Sequence, residues 1–200
     1  FLYIGHKLEL RAILKRLVLE KQIAVIISMH ELDLAQKLSD RVVCVRGDRI
    51  DKCGTPDEIF TDAYIEQLYQ VSCGSYHTVY GFMELEKPAG KPEVFVIGGG
   101  GSGIPIYRQL QRKGIPFAAG VLHENDMDLP AAQALAAQII TERAFEPIGA
   151  QALAQAKACM ETCTRVICCP ERFGTMNAGN QQLMQLAQKQ GKLFNHKRGL

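Results

Sequence analysis

A glycine cluster follows a short apolar segment near the middle of the chain. Val94 to Ile97 have strand-forming side chains, and a helical pattern begins at Ile104. Glycines between a strand and a helix let the backbone approach a phosphate closely, and the helix N-terminus offers free N–H groups. The spacing G-x-G-x-x-G therefore predicts a phosphate or other anion site, with a plain turn or another kind of ligand as alternatives. The candidate ligand-binding residues are Gly98, Gly100, Gly101, Ser102 and Gly103.

Polar residues follow two later predicted strands. Glu124, Asn125 and Asp126 come after the strand predicted at 115–122, and Glu124 lies close to where a dinucleotide site places its ribose-binding acid. Together with His123, these side chains also suit a divalent metal, but a solvated loop is the simpler interpretation, and we assign no metal site. Because ligands of parallel sheets bind at the carboxyl ends of the strands, we expect these residues near the glycine loop.

The loop after the strand predicted at 165–169 supplies three more candidates, Gly174, Thr175 and Asn177. This loop resembles the Pro-Gly-Gly-x-Gly-Thr-x-x-Glu motif of lysine-decarboxylase-like nucleotide phosphoribohydrolases. Pro170, Gly174 and Thr175 match that motif, whereas Ala178 stands where the family has its catalytic Glu. The resemblance implies a nucleotide-like ligand near this loop and argues against that hydrolysis.

A different pattern fills the first third of the chain. Residues 5–21 have helical periodicity, and Ile23 to Ser28 predict a buried parallel strand with His30 near its end. Residues 41–46 and 49–53 predict a hairpin around Gly47. Thr55, Pro56 and Glu58 have the capping-box spacing that begins a helix.

Residues 1–62 resemble the C-terminal end of an ATP-binding-cassette (ABC) transporter ATP-binding protein of the iron-siderophore or cobalamin importer type. The matching segments are Ser28-Met-His30-Glu-Leu-Asp33, Ser39-Asp40-Arg41-Val42-Val43 and Gly54-Thr55-Pro56-Asp57-Glu58. The resemblance implies that His30 is the switch histidine, which contacts the γ-phosphate and positions the attacking water. It also implies ATP and Mg²⁺ as cofactors, and membrane permease subunits as partners, of an intact parent protein.

The family's phosphate-binding loop, signature sequence and Mg²⁺-binding acidic strand all precede the matching segment. Phosphoryl transfer needs these parts together, so we expect this chain alone not to hydrolyse ATP. The apolar faces of the strands predicted at 23–28 and 41–46 need cover, which predicts a homodimer or packing on the second domain.

Composition limits the other function classes. The net charge of the 200-residue chain is +2, which does not indicate a nucleic-acid partner. We expect no signal peptide, and the longest apolar run is shorter than the ~20 residues of a membrane span. Seven cysteines, an odd number, do not suggest a secreted disulfide framework. We therefore expect a cytoplasmic protein, peripheral to the inner face of the membrane if it is assembled in a transporter, with its cysteines mostly buried as small apolar residues.

Three segments make up the predicted organisation: an ABC fragment (1–62), a connecting segment with a helix, a strand at 77–85 and a linker (63–91), and a Rossmann-like ligand-binding domain (92–200). In the last segment, strands predicted at 93–97, 115–122, 144–148 and 165–169 alternate with helices predicted at 104–113, 129–140, 150–163 and 180–190. This alternation predicts an α/β fold with a parallel sheet.

The leading functional hypothesis is the C-terminal part of an ABC transporter ATP-binding subunit, with an appended regulatory domain that senses a small anionic or nucleotide-like ligand. One alternative is a Rossmann-type enzyme acting on a nucleotide or dinucleotide, with Glu124, Asp126 or Asn177 in its site. The other alternative is a structural module that mediates dimerisation.

Overall fold

The computed structural model describes residues 4–70, 74–77 and 82–194. They form two compact units, one of residues 4–70 and one of residues 74–77 together with 82–194. Among these described residues, no helix has the length and hydropathy needed to cross a membrane. The domain boundaries predicted at residues 62 and 92 stay predictions.

The first unit contains four helices and one hairpin among its described residues. Its elements are α1 (Ile4–Lys21), α2 (Leu32–Leu38), β1 (Val42–Arg46), β2 (Arg49–Gly54), α3 (Pro56–Ile59) and α4 (Asp62–Tyr69). β1 pairs with β2 in antiparallel fashion, as predicted, and Gly47 provides the positive φ of +63° in the turn. The predicted capping box is also present, with the Thr55 amide donating to the Glu58 carboxylate over 2.8 Å.

The strand predicted at Ile23 to Ser28 is wrong. This segment belongs to an irregular stretch between α1 and α2, and its residues are exposed, Ile26 to 97%. A buried strand needs a neighbour that satisfies its backbone N–H and C=O groups. Within residues 4–70, the strands that pair are β1 and β2. The apolar segment at 23–28 therefore has no neighbouring strand among these residues to pair with.

The second unit begins with a hairpin of β3 (Ser75–His77) and β4 (Phe82–Glu84). The structure therefore has two short strands where one strand was predicted over 77–85. Residues 78–81 of that prediction lie outside the described residues. The Glu84 carboxylate, nearly buried, accepts from the Arg108 guanidinium over 2.5 Å and so ties the hairpin to the helix that follows the glycine loop.

A five-stranded parallel sheet forms the centre of the second unit, which confirms the α/β Rossmann-like fold. Its strands are β5 (Val94–Ile97), β6 (Phe117–His123), β7 (Gln138–Glu142), β8 (Arg165–Cys168) and β9 (Leu193–Phe194). They lie in the order β7-β6-β5-β8-β9. The two-residue strand β9 was not predicted.

Helices cover both faces of this sheet: α5 (Ile104–Arg112), α6 (Leu129–Leu135), α7 (Ala150–Thr162) and α8 (Ala178–Lys189). Alternate residues of β5 point to opposite faces. Val94 and Val96 pack with α5 and α6, and Phe95 and Ile97 pack with α7 and α8. All four side chains are fully buried, as expected for a central strand covered on both faces.

The third strand was misplaced. α6 ends at Leu135 rather than at residue 140, β7 occupies 138–142, and residues 144–148 form a turn and loop. Ile139 and Ile140 are β-branched, and Ile140 is 3% exposed on the face covered by α7. Pairing of this segment with β6 and burial of its isoleucines outweigh the helix preference of the preceding alanines.

Candidate functional site

The strand order creates a topological switch point between β5 and β8. From β5 the chain moves outward through β6 and β7, and it returns to the other side of β5 with β8. In open parallel sheets, ligands bind in the crevice that such a reversal leaves at the carboxyl ends of the strands. A cavity of about 390 Å³ lies there, lined by residues of β6, α8 and the loops after β5, β6 and β8. The polar side chains among its lining residues are His123, Asp126, Arg172, Asn177 and Asn180.

Two carboxylates already accept hydrogen bonds from N–H groups of the glycine loop. The amides of Gly99 and Gly103 donate to Oδ2 of Asp128 over 2.6 and 2.8 Å. The amide of Gly100 donates to Asp126, 3.0 Å from Oδ1 and 3.2 Å from Oδ2. Donors that a phosphate would use are therefore paired within the chain.

Asp128 is fully buried behind the loop. Burial raises the pKa of its carboxyl, while the hydrogen bonds from Gly103 and Gly99 act in the opposite direction. Its second oxygen, Oδ1, has no hydrogen-bond partner among the described residues, and neither has the buried hydroxyl of Tyr107. Burial and the nearby Asp128 carboxyl raise the pKa of Tyr107 well above its usual range, so this phenol keeps its proton.

Packing explains part of the glycine spacing. A Cβ atom on Gly98 would collide with the Tyr107 hydroxyl, and one on Gly103 would lie 2.5 Å from Cζ of the same ring. Gly100 has a different reason for being glycine, because its φ is +62° and a Cβ there would meet open space. The outer glycines thus make room for an aromatic side chain, and the inner one permits the turn.

A buried amide fixes the far wall of the cavity. The β6–β7 ladder shifts register between Ala119 and Leu122, which takes Val121 out of regular pairing. Asn180 of α8, 2% exposed, replaces the missing strand contacts. Its side chain accepts from the Val121 amide over 3.0 Å and donates to the Val121 carbonyl over 2.9 Å.

The imidazole of His123 also has a structural contact. Its Nε2 lies 2.9 Å from the carbonyl oxygen of Glu146, so this nitrogen carries the proton and donates. Nδ1 is thereby left as the acceptor of the neutral ring. Among the described residues, no group of three or more His, Cys, Asp or Glu side chains is arranged to hold a metal ion.

The structure brings some of the predicted site residues together. Gly98, Gly100, Asp126 and Asn177 line the cavity, and Asn125 lines an adjoining space of about 280 Å³ that shares Gly100 and Asp126.

The other predicted residues do not line either cavity. The Glu124 carboxylate faces the loop after β7, where it accepts from the Ala144 amide over 3.5 Å, so Asp126 is the acid of this loop that reaches the cavity. Gly101, Ser102 and Gly103 continue toward α5, and the Ser102 hydroxyl donates to the Gly99 carbonyl over 2.6 Å. Gly174 donates to the Asn177 side chain over 2.7 Å, and Thr175 is exposed.

Sequence reasoning missed Asp128 and Asn180, and it placed His123 and Arg172 in the strand-end loops without assigning them to the site. Asp128 carried a usable signal, because it lies two residues after Asp126 in the same polar run, immediately before a helix. Asn180 carried none, since its partner Val121 is 59 residues away in sequence. His30, in the first unit, is exposed within the irregular segment between α1 and α2, and its assignment as a switch histidine stays a prediction.

Comparison with known proteins confirms the resemblance to ABC transporter ATP-binding proteins. The chain is 29% identical over 123 residues to the uncharacterized ABC transporter ATP-binding protein MJ0873 of Methanocaldococcus jannaschii, a match covering 61% of this chain and 42% of that protein. It is 27% identical over 132 residues to the cobalamin import ATP-binding protein BtuD of Halobacterium salinarum, covering 62% of this chain and 33% of that protein. It is 42% identical over 64 residues to the hypophosphite import ATP-binding protein HtxD of Stutzerimonas stutzeri, covering 32% of this chain and 18% of that protein.

The chain thus spans less than half the length of these relatives. The model of the MJ0874 family matches residues 117–197, which begin with β6 and exclude the glycine loop. No solved structure shows a significant match.

Proposed function

We propose that this chain is the C-terminal part of an ABC transporter ATP-binding subunit, in which residues 92–200 form a regulatory domain that senses a nucleotide-like ligand. The observation that carries the ligand-sensing part is the cavity at the switch point of the parallel sheet, between the loops after β5, β6 and β8. The named relatives support the transporter part. The same proposal includes a homodimer, permease subunits as partners and a position at the cytoplasmic face of the membrane.

The hydrogen bonds of the glycine loop favour a nucleotide-like ligand over a bare anion. An anion at the loop would compete with the carboxylates of Asp126 and Asp128 for the amides of Gly99, Gly100 and Gly103. A hydroxyl-bearing ligand meets no such competition, because Asp126 lines the cavity and can accept from it.

A sensor fits the cavity better than an enzyme does. A general base must be within reach of a substrate proton and free to take it. Asp126 is engaged by the amides of Gly100 and Asp128. The imidazole of His123 is oriented by the Glu146 carbonyl through Nε2, and its Nδ1 is the acceptor that an enzyme would need as a base. These contacts hold the loops in place and point to binding.

ATP and Mg²⁺ belong, in this proposal, to an intact parent protein. Residues 4–70 contain no glycine-rich phosphate loop with a lysine, and His30 lies on a segment without strand pairing. No step of ATP hydrolysis is therefore assigned to residues of this chain. Ligand binding in the second unit would regulate the parent by favouring one of its conformations over another.

Thermal unfolding of the full chain tests the binding site. We expect at least one nucleoside, nucleotide or dinucleotide at millimolar concentration to raise the melting temperature, since a ligand at about 100 times its Kd stabilises by roughly 2.7 kcal/mol. Gly100→Val should abolish this shift by filling the loop.

Gly114→Val is the matched control in the same unit. Gly114 has a φ of +66°, against +62° at Gly100, and a Cβ at either position meets no atom within 4 Å. Backbone strain is thus similar, but Gly114 follows α5 and does not line the cavity. The proposal fails if no compound shifts the melting temperature, or if both variants respond to ligand alike.

A further inference from the structure

Exposed apolar side chains surround the mouth of the cavity. Met127, Phe145 and Met176 come from the loops after β6, β7 and β8, and they are 61%, 80% and 37% exposed. All three line the adjoining space of about 280 Å³, together with Gly100, His123, Asn125 and Asp126. Three separate loops thus bring large apolar groups to one edge of a polar cavity.

The backbone at Phe145 supports a binding role. Its φ is +64°, in the left-handed region that non-glycine residues rarely adopt. An aromatic residue held in this conformation gains nothing from burial, because most of its side chain is in solvent. Strained, exposed residues of this kind concentrate at ligand-binding loops.

The glycine loop, which forms the floor of the cavity, has the opposite character. Asp128 and Asp126 together accept from three amides of the glycine loop. A phosphate in the cavity would lie near the Asp126 carboxylate, and the loop amides that could bind it already donate to Asp126 and Asp128. The floor therefore suits a neutral group that donates hydrogen bonds, such as a sugar hydroxyl, to Asp126.

We infer that the cavity binds a nucleoside, whose base lies against Phe145 and the flanking methionines and whose unphosphorylated ribose faces Asp126. Aromatic and methionine side chains bind the flat face of a base through stacking and soft sulfur contacts. The main cavity of about 390 Å³ falls within the range of small-molecule sites. This inference rests on the proposed function, and it specifies the ligand class of the same site.

Arg172 allows a test between a nucleoside and a nucleotide as the ligand. It lines the cavity from the loop after β8, and it is the side chain with a permanent positive charge among the lining residues. If the ligand were a nucleotide bound through Arg172, the 5′-monophosphate would bind more tightly than the nucleoside.

Calorimetric titration of the full chain with the four common ribonucleosides, their 5′-monophosphates, a nicotinamide dinucleotide, inorganic phosphate and pyrophosphate separates these cases. We expect one nucleoside to bind roughly tenfold more tightly than its 5′-monophosphate, and phosphate and pyrophosphate not to bind at millimolar concentration. Phe145→Ala should weaken the nucleoside about tenfold, while Phe145→Tyr, which keeps the ring, should not.

Tighter binding of a monophosphate, dinucleotide or pyrophosphate would overturn the inference and leave the proposed sensor function standing. Equal nucleoside binding by Phe145→Ala and by the unaltered chain would also overturn it. Absence of binding by every compound in the set would overturn the proposed function together with the inference.

Discussion

Replacement of Asn180 by alanine should destabilise the second unit strongly. The Asn180 side chain accepts a hydrogen bond from the Val121 amide over 3.0 Å and donates one to the Val121 carbonyl over 2.9 Å. These contacts lie at the point where the β6–β7 ladder shifts register. Asn180 is 2% exposed and Val121 is 1% exposed, so water cannot replace the lost contacts without opening the packing of α8.

The magnitude follows from counting the groups left unpaired. Each buried N–H or C=O without a partner costs about 1–3 kcal/mol, and two are created here. The better helix propensity of alanine returns about 0.5 kcal/mol. The net loss in free energy of unfolding is therefore roughly 2–5 kcal/mol, which lowers the melting temperature of a 200-residue chain by about 5–20 °C.

Urea unfolding followed by circular dichroism measures this loss, with Gln181→Ala as the control on the same helix. Gln181 is exposed, so its truncation should change the free energy of unfolding by less than about 0.5 kcal/mol. An Asn180→Ala loss no larger than that of the control would refute the reasoning, because it would mean that the Val121 backbone finds other partners at little cost.

Four further predictions concern Tyr107, Gly98, Asp128 and His30. Tyr107→Phe should leave stability unchanged or raise it by about 1 kcal/mol in urea, since the buried hydroxyl has no partner among the described residues. Gly98→Ala should cost about 1–3 kcal/mol by overpacking against that hydroxyl, and Tyr107→Phe should recover part of the loss in a double-mutant cycle. Burial raises the pKa of Asp128 above its ordinary value of 3.8, so the folded state binds this proton more tightly than the unfolded state does. The stabilisation that the bound proton provides is therefore lost as pH rises through the raised pKa. Asp128→Asn should thus gain stability relative to the unaltered chain as pH rises above about 4, and a pH-independent difference would contradict the raised pKa. The chain alone should show no Mg²⁺-dependent ATPase rate above background, and a rate that His30→Ala abolishes would disprove the expectation.

Local signals predicted most of the fold. The alternation of strands and helices after residue 92, the hairpin around Gly47 and the capping box at Thr55 depend on neighbours in sequence, and the structure contains all three. The strand predicted at 23–28 and the third strand of the sheet failed for a different reason. Both depend on which strand lies alongside, and an apolar segment such as Ile23 to Ser28 does not reveal whether a neighbour exists.

The candidate site was predictable in place but not in detail. Strand ends located Asp126 and Asn177 at the cavity, because parallel strands bring their carboxyl ends to one edge. The role of Asp128 depends on the direction of a side chain, and the role of Asn180 depends on a register shift in a distant ladder. Residue types in a sequence do not determine either of these.

The glycine loop illustrates how far a motif supports a function. Gly98 and Gly103 are explained by the ring of Tyr107 packed beside them, and Gly100 by a positive φ, so the spacing has a sufficient cause without any ligand. A phosphate loop therefore differs from a tight turn in which groups accept the hydrogen bonds that the loop N–H groups donate. Here those acceptors are Asp126 and Asp128. These two carboxyl groups already accept the hydrogen bonds that the loop N–H groups would donate to a pyrophosphate. The spacing that predicts a phosphate site from the sequence therefore favours, in the folded protein, a ligand without phosphate at this loop.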